Sequence, residues 1–193
     1  MKKAIGLMLA CVLVVFALSG CQNQSEKTFE ALGVTVDGEK TVDLMMNQEE
    51  VRKEMEQEPD DVTDSENMLS DRWSSDVSLS VDYQTEDPNS VSAIFVLSGS
   101  KGKAITSFGI GLGDSEDSLK EKLGDLCAVN DSDDGETSYL YAFRYQDGKY
   151  EIVDSNKTIG ELTGDSEDVG LYSVTFNCKD DEVVSFYMTD VLR

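Results

Sequence analysis

Two strand-turn-strand stretches constrain the fold of this chain most strongly. They read SLSVDYQTEDPNSVSAIFVL at residues 78–97 and YSVTFNCKDDEVVSFYM at residues 172–188. In the first, Leu79, Val81 and Tyr83 alternate with polar residues, which is the period of a strand with one buried face. Short acidic turn segments separate the two strands of each stretch. The pattern therefore predicts two antiparallel hairpins.

A helix is predicted before each hairpin. Asn47 followed by Glu50 has the spacing of a capping box, and Val51 and Met55 lie one turn apart on one face. A second helix starts at residues 114–115.

The apolar positions of the second predicted helix are Leu119 and Leu123, and Gly124 is a typical signal for the end of a helix. The intervening segment 56–71 is acidic and nearly free of apolar residues, so we expect a loop there that could be disordered. Two further turns are marked by Asp37-Gly38 and Asp147-Gly148.

These elements predict an α+β fold, an antiparallel sheet with helices packed on one face. The similar order of elements in the two halves favours a tandem duplication of a helix-plus-hairpin unit, although generic α+β patterning is an alternative. The predicted segments are a signal peptide at 1–20, a lipidated tether at 21–28, a first half at 29–100 and a second half at 101–193.

The amino-terminal segment predicts export and lipid attachment. Lys2 and Lys3 precede fourteen uncharged residues at 4–17, which is too short for a membrane span and typical of a signal peptide. The following Leu-Ser-Gly-Cys matches a bacterial lipobox, so cleavage is expected between Gly20 and Cys21, with acyl chains on the Cys21 sulfur. The alternative is an ordinary secreted protein with a chance cysteine.

The charge of the chain limits its partners. The net charge is −23, and removal of the segment holding Lys2 and Lys3 would leave −25 on the remaining 173 residues. Such a surface repels nucleic acid and anionic lipid and favours solubility, cations or basic partners. The sequence contains no histidine, which argues against zinc chemistry and against a Ser-His or Cys-His nucleophile.

Two cysteines remain after the predicted processing, Cys127 and Cys178. In an exported protein they could form one disulfide, and two free buried thiols are the alternative.

Acidic segments offer little specific chemistry. The loop 130–136 has oxygen side chains and a glycine in calcium-loop register, but Tyr141 stands where the bidentate carboxylate is needed. We therefore expect a solvated hairpin loop, no metal site and no cofactor. With 39 acidic residues, paired carboxylates for hydrolysis carry no clear signal.

Aromatic residues form the remaining candidate site. Tyr139, Tyr141 and Tyr145 share one face of the strand predicted at 138–145. They are either core beneath the helices or an exposed face that binds a protein or a glycan. Trp73 is grouped with this candidate binding face, and plugging of a sheet edge is its alternative role.

One stretch resembles a known family. FGIGLGDSEDSLKEKLGD, residues 108–125, is similar to the strand-to-helix entry of small exported lipoproteins with the β-lactamase-inhibitor-protein fold or the outer-membrane-assembly small-protein-A fold. Gly113, Leu119, Leu123 and Gly124 match the pattern. The resemblance implies helices on one face of an antiparallel sheet, and a role as an inhibitor or envelope-assembly factor.

Together these observations predict a membrane-anchored lipoprotein on the extracytoplasmic side. Its expected function is non-enzymatic protein binding, with no nucleic-acid partner. The alternatives are an inhibitor or assembly factor, and an extracytoplasmic hydrolase that uses carboxylates. Two acids with perturbed pKa values in a cleft would favour the hydrolase, whereas a wide sheet face with exposed aromatics would favour binding.

Overall fold

The structure is a computed structural model. It describes residues 27–66, 68–74, 77–85, 89–97, 99, 103–164 and 169–192. The predicted signal peptide and the lipobox residues Gly20 and Cys21 lie outside this part of the chain. No helix in the described ranges has the length and apolar character needed to cross a bilayer.

The described chain folds into thirteen strands and three short helices. The first-half strands are β1 (Thr28–Phe29), β2 (Gly33–Val36), β3 (Lys40–Asp43), β4 (Asp61–Ser65), β5 (Met68–Trp73), β6 (Leu79–Tyr83) and β7 (Val91–Val96). The second-half strands are β8 (Ala104–Thr106), β9 (Cys127–Asp131), β10 (Glu136–Gln146), β11 (Lys149–Val153), β12 (Gly170–Lys179) and β13 (Glu182–Asp190). The helices are α1 (Gln48–Met55), α2 (Glu116–Leu123) and α3 (Ile159–Thr163).

Ten of the strands form one antiparallel sheet. Its order is β1-β11-β10-β12-β13-β7-β6-β5-β4, and β9 pairs with β10 on the same side as β11. The remaining strands form a small sheet of order β3-β2-β8. The last strands of the two halves, β7 and β13, pair in the middle of the large sheet and make it continuous.

Local sequence explains the tightest connections. Asp37-Gly38 and Asp147-Gly148 have positive φ at both positions, which is the geometry of a two-residue hairpin turn. They join β2 to β3 and β10 to β11, as the sequence predicts. Asp180 and Asp181 also have positive φ, between β12 and β13.

Both predicted helices are confirmed. Asn47 and Glu50 form the capping box of α1, and Val51 and Met55 are buried. Ser115 caps α2, which buries its two leucines and ends at Gly124.

One face of the large sheet carries the core. The side chains of Val174, Phe176, Phe186 and Met188 lie on this face and belong to one hydrophobic cluster with the buried residues of α1, α2 and the small sheet. Phe176 is fully buried and contacts the rings of Phe108, Tyr141 and Phe186. We call this side of the sheet the covered face and the opposite side the open face.

The expectation of an α+β fold is wrong. Strands hold 52% of the described residues and helices only 14%, so the protein is largely β. The two longer helices have eight residues each, and the segment 56–71, expected to be a loop, contributes β4 and most of β5. The expected helix-plus-hairpin repeat is replaced by a continuous sheet, because each half contributes more than a hairpin and β7 pairs with β13.

Buried tyrosines should make the stability of the fold decrease at alkaline pH. Burial raises the pKa of Tyr139 to about 12, helped by its hydrogen bond to Glu116, and burial is also the main cause of the raised pKa values of Tyr83, Tyr141 and Tyr150. A phenol whose pKa is higher in the folded than in the unfolded chain stabilises the fold below the unfolded value of about 10, and this stabilisation is lost as pH rises through the folded value.

We therefore expect the free energy of unfolding to fall as pH rises above about 10. In a titration followed at 295 nm, at least four of the seven tyrosines should ionise later in the native protein than in urea. Superimposable native and denatured curves would contradict this burial.

Candidate functional site

The open face presents a stacked aromatic pair at the centre of the sheet. Tyr187 of β13 lies directly opposite Phe95 of β7. Their ring centroids are 5.7 Å apart and the ring planes differ by 27°. Because side chains alternate along a strand, Ile94 and Met188 point to the covered face while Phe95 and Tyr187 point away from it. Both rings are partly exposed.

A groove of about 490 Å³ runs from this pair towards the β4 edge of the sheet. Its lining comes from four strands: Asp61 and Thr63 of β4, Ser70 and Arg72 of β5, Ser80 and Asp82 of β6, and Phe95 with Leu97 at the end of β7. The serine and threonine side chains of this lining are small and lie between its charged and apolar residues. Leu97 is 39% exposed and adds an apolar wall.

Arg72 is the cation of this groove. It lies directly opposite Asp61 and Ser80 in the strand pairing, and its side chain is exposed. Among the arginines that the structure describes, Arg52 and Arg144 are paired with Asp71 and Glu151. No described carboxylate forms an ion pair with Arg72. The groove therefore combines one unpaired guanidinium, two carboxylates and an aromatic ring.

An ion pair with a buried carboxylate supports the groove from the covered face of the sheet. Asp71 precedes Arg72 in β5 and points to the covered face, where it is 0% exposed. Its two oxygens accept hydrogen bonds of 2.8 and 2.7 Å from Nε and Nη2 of Arg52 on α1. Tyr83 donates a third, at 3.2 Å. The hydrogen bond to Asp71 raises the pKa of Arg52. These contacts fix β5 and β6, and hence the groove floor, against α1.

The predicted aromatic binding face is part of the core instead. Tyr139 and Tyr141 are buried, and their hydroxyl groups donate to Glu116 at the start of α2 and to the carbonyl of Gly124 at its end. Trp73 is buried and donates to the carbonyl of Gln57. Tyr145 is half-buried and packs on Tyr150. The interpretation of Tyr139, Tyr141 and Trp73 as an exposed binding face is wrong, because these side chains are buried in the core. Tyr145 packs partly buried against the same core.

Cys127 and Cys178 are both free thiols. Cys127 lies opposite Tyr141, and Cys178 opposite Thr137, on the two sides of β10. They are separated by two strand spacings, about 10 Å, and by four residues along the strand, about 13 Å. A disulfide needs Cα atoms within about 7 Å. Of the two alternatives left open by the sequence, the structure supports the free thiols.

The two thiols should differ sharply in reactivity. Burial raises the pKa of Cys178 to about 12, whereas Cys127 is only partly buried. Since the thiolate is the nucleophile, we expect iodoacetamide at pH 8 to label Cys127 at least about 100-fold faster than Cys178 in the native protein. Peptide mass mapping after timed quenching measures both rates. Equal labelling, or none without a reductant, would contradict this arrangement.

The described acidic groups do not form a metal-binding cluster. Hydrogen bonds lower the carboxyl pKa values of Asp134, Asp154 and Glu161. The loop 130–136 closes the β9–β10 hairpin, where Ser132 donates to Asp134. Within the described ranges no three Asp, Glu, His or Cys side chains are grouped as metal ligands would be.

Comparison with known proteins gives little further guidance. No family model matches the chain, and no curated protein matches it at a significant level. A crystal structure of a DUF4309 family protein, YjgB from Bacillus subtilis, aligns over 75% of this chain and 78% of its own, at 14% identity and a TM-score of 0.36. Similarity this low does not establish a shared fold.

Proposed function

We propose that this protein is a membrane-anchored, extracytoplasmic lipoprotein that binds another protein through the open face of its large sheet. The observation that carries the proposal is the partly exposed Phe95–Tyr187 stack beside a groove whose arginine, Arg72, forms no ion pair with a described carboxylate. Aromatic residues and arginine are enriched among the residues that dominate binding energy in protein interfaces. The small hydroxyl side chains around the stack leave space for a partner to approach the sheet.

The anchor in this proposal rests on the lipobox at residues 18–21. Two or more acyl chains on Cys21 hold a protein at a bilayer durably. We expect the native protein to partition into the detergent phase of Triton X-114, and Cys21→Ala to move it to the aqueous phase or leave it unprocessed. Unchanged detergent-phase partitioning of Cys21→Ala would contradict the anchor.

Site-specific photocrosslinking tests the binding face in cells. A benzoylphenylalanine at position 187 places the reactive group on the open face, and the same residue at position 105 is the matched control. Ile105 is 43% exposed and belongs to the small sheet on the other side of the molecule. We expect a discrete adduct from position 187 and none from 105. No adduct from 187, or the same adduct from both positions, would overturn the proposal.

The interface should depend on the aromatic stack. We expect Tyr187→Ala to reduce the yield of an adduct formed from a neighbouring open-face position, residue 97, by at least tenfold, because a central aromatic hot spot contributes about 2 kcal/mol or more. Ile105→Ala is the matched control and should leave the yield unchanged.

A further inference from the structure

We infer that the partner inserts a basic side chain, an arginine in preference to a lysine, which stacks on Phe95 and pairs with Asp82. This inference rests on the proposed function and specifies the chemistry of the partner. Phe95 lies opposite Ser80, and Asp82 lies two residues further along β6 on the same face. Diagonal neighbours of this kind have Cα atoms about 7–8 Å apart, within reach of a long side chain.

The geometry leaves one side of the Phe95 ring available. Tyr187 occupies the ring face towards β13, and the groove lies on the other side, towards β6. Ser80, between Phe95 and Arg72 in the strand pairing, is too small to fill that space. A cation over an aromatic ring is attracted by the ring quadrupole, and a carboxylate beside the ring adds charge pairing.

The negative charge of the protein favours a partner segment of positive charge. The chain carries −23 overall, so a basic segment is attracted from a distance and an acidic one is repelled. Within the groove, Asp61 and Asp82 outnumber the single guanidinium of Arg72. Arg72 lies directly opposite Asp61, so that carboxylate offsets its repulsion of an incoming cation.

The shape of the site favours arginine over lysine. A planar guanidinium stacks on a ring while donating two parallel hydrogen bonds to one carboxylate, which an ammonium group does not do. The exposed side chain of Leu97 lies in the same groove and offers apolar surface for the aliphatic stem of the incoming residue.

A peptide titration tests this inference directly. The probe is the blocked peptide acetyl-Gly-Arg-Leu-Gly-amide, added to the ¹⁵N-labelled protein, and the control peptide carries citrulline, which has nearly the same shape without the charge. We expect the arginine peptide to shift the amide signals of Asp82 and Phe95, with an affinity at least fivefold higher than that of the citrulline peptide. The difference should shrink in 500 mM NaCl because salt screens charge pairing.

Matched variants identify the carboxylate. Asp82→Asn should weaken binding of the arginine peptide at least fivefold. Asp64→Asn should have no effect, since Asp64 is an exposed residue of β4 on the opposite side of the sheet from Asp61 and Thr63. Equal binding of the two peptides, unchanged binding to Asp82→Asn, or signal shifts confined to other acidic segments would each overturn the inference.

The crosslinking experiment separates this inference from the proposed function. If position 187 captures its partner equally well in wild type and in Asp82→Asn, the basic side chain is the wrong chemistry while binding through the open face stands. If position 187 captures nothing, binding through the open face fails as well.

Discussion

Arg52→Met should lower the free energy of unfolding by about 3–5 kcal/mol, because it leaves the carboxylate of Asp71 buried without its counterion. Asp71 is 0% exposed, whereas the side chain of Arg52 is 38% exposed and can reach water. Removing the arginine and removing the aspartate should therefore lower the free energy of unfolding by different amounts. Asp71→Asn leaves a guanidinium that rehydrates, so we expect a cost of about 1–2 kcal/mol.

Urea denaturation at pH 7 measures these differences, and Lys53→Met is the matched control. Lys53 is on the same helix, carries the same charge and is exposed, so its replacement should change stability by less than about 0.5 kcal/mol. An Arg52→Met variant within about 1 kcal/mol of Lys53→Met would show that Asp71 is better solvated than its burial indicates.

The second large effect compares the two faces of the sheet with the same substitution. Phe176→Ala removes a ring that is 0% exposed and in contact with three other aromatic rings, and it should cost about 3–5 kcal/mol. Phe95→Ala removes a partly exposed ring that stacks on Tyr187, and it should cost less, about 1–3 kcal/mol, from part of the ring's burial and its stacking together.

The midpoint and the slope of urea unfolding curves distinguish the two variants, with the slope expected to be unchanged. This comparison matters for function, because a surface reserved for a partner contributes little to folding. If Phe95→Ala were as destabilising as Phe176→Ala, the open face would be part of the core and the binding proposal would lose its main support.

Local signals in the sequence predicted much of the framework. The capping box at Asn47 and Glu50 and the Asp-Gly turns each depend on a few adjacent residues, and each forms as predicted. The short helix α3 was missed, although Thr158 and Glu161 form a capping box that signals its start. With only five residues, α3 gives no helical periodicity to detect.

The prediction of a loop at residues 56–71 is wrong for a different reason. The polar composition of this segment favoured a loop, yet β5 buries Leu69, Asp71 and Trp73 on alternate positions. Asp71 hides this alternation because a carboxylate is ordinarily an exposed residue. Its counterion comes from Arg52, nineteen residues away in sequence, and local patterning does not reveal that pairing.

Sequence periodicity does not predict the candidate site on the open face, for a related reason. Phe95 stands between the apolar residues Ile94 and Val96, and Tyr187 between Phe186 and Met188. In such runs both faces of the strand look buried, so periodicity does not separate the core ring from the exposed one. The tyrosines of β10 alternate more clearly, but clear alternation marks a face turned to the core.

The position of Lys27 limits how far the folded domain can lie from a lipid anchor on Cys21. Lys27 donates hydrogen bonds of 2.8 Å to the carbonyls of Glu121 and Lys122 at the end of α2, and β1 follows it at the end of the sheet opposite β4. Eight strand spacings separate β1 from β4, a path of about 38 Å along the sheet. With acyl chains on Cys21, six residues of at most about 21 Å would join the lipid to Lys27. With such an anchor, the β1 end of the sheet would lie near the lipid headgroups, and the groove would lie towards the opposite end, which is about 38 Å away along the sheet.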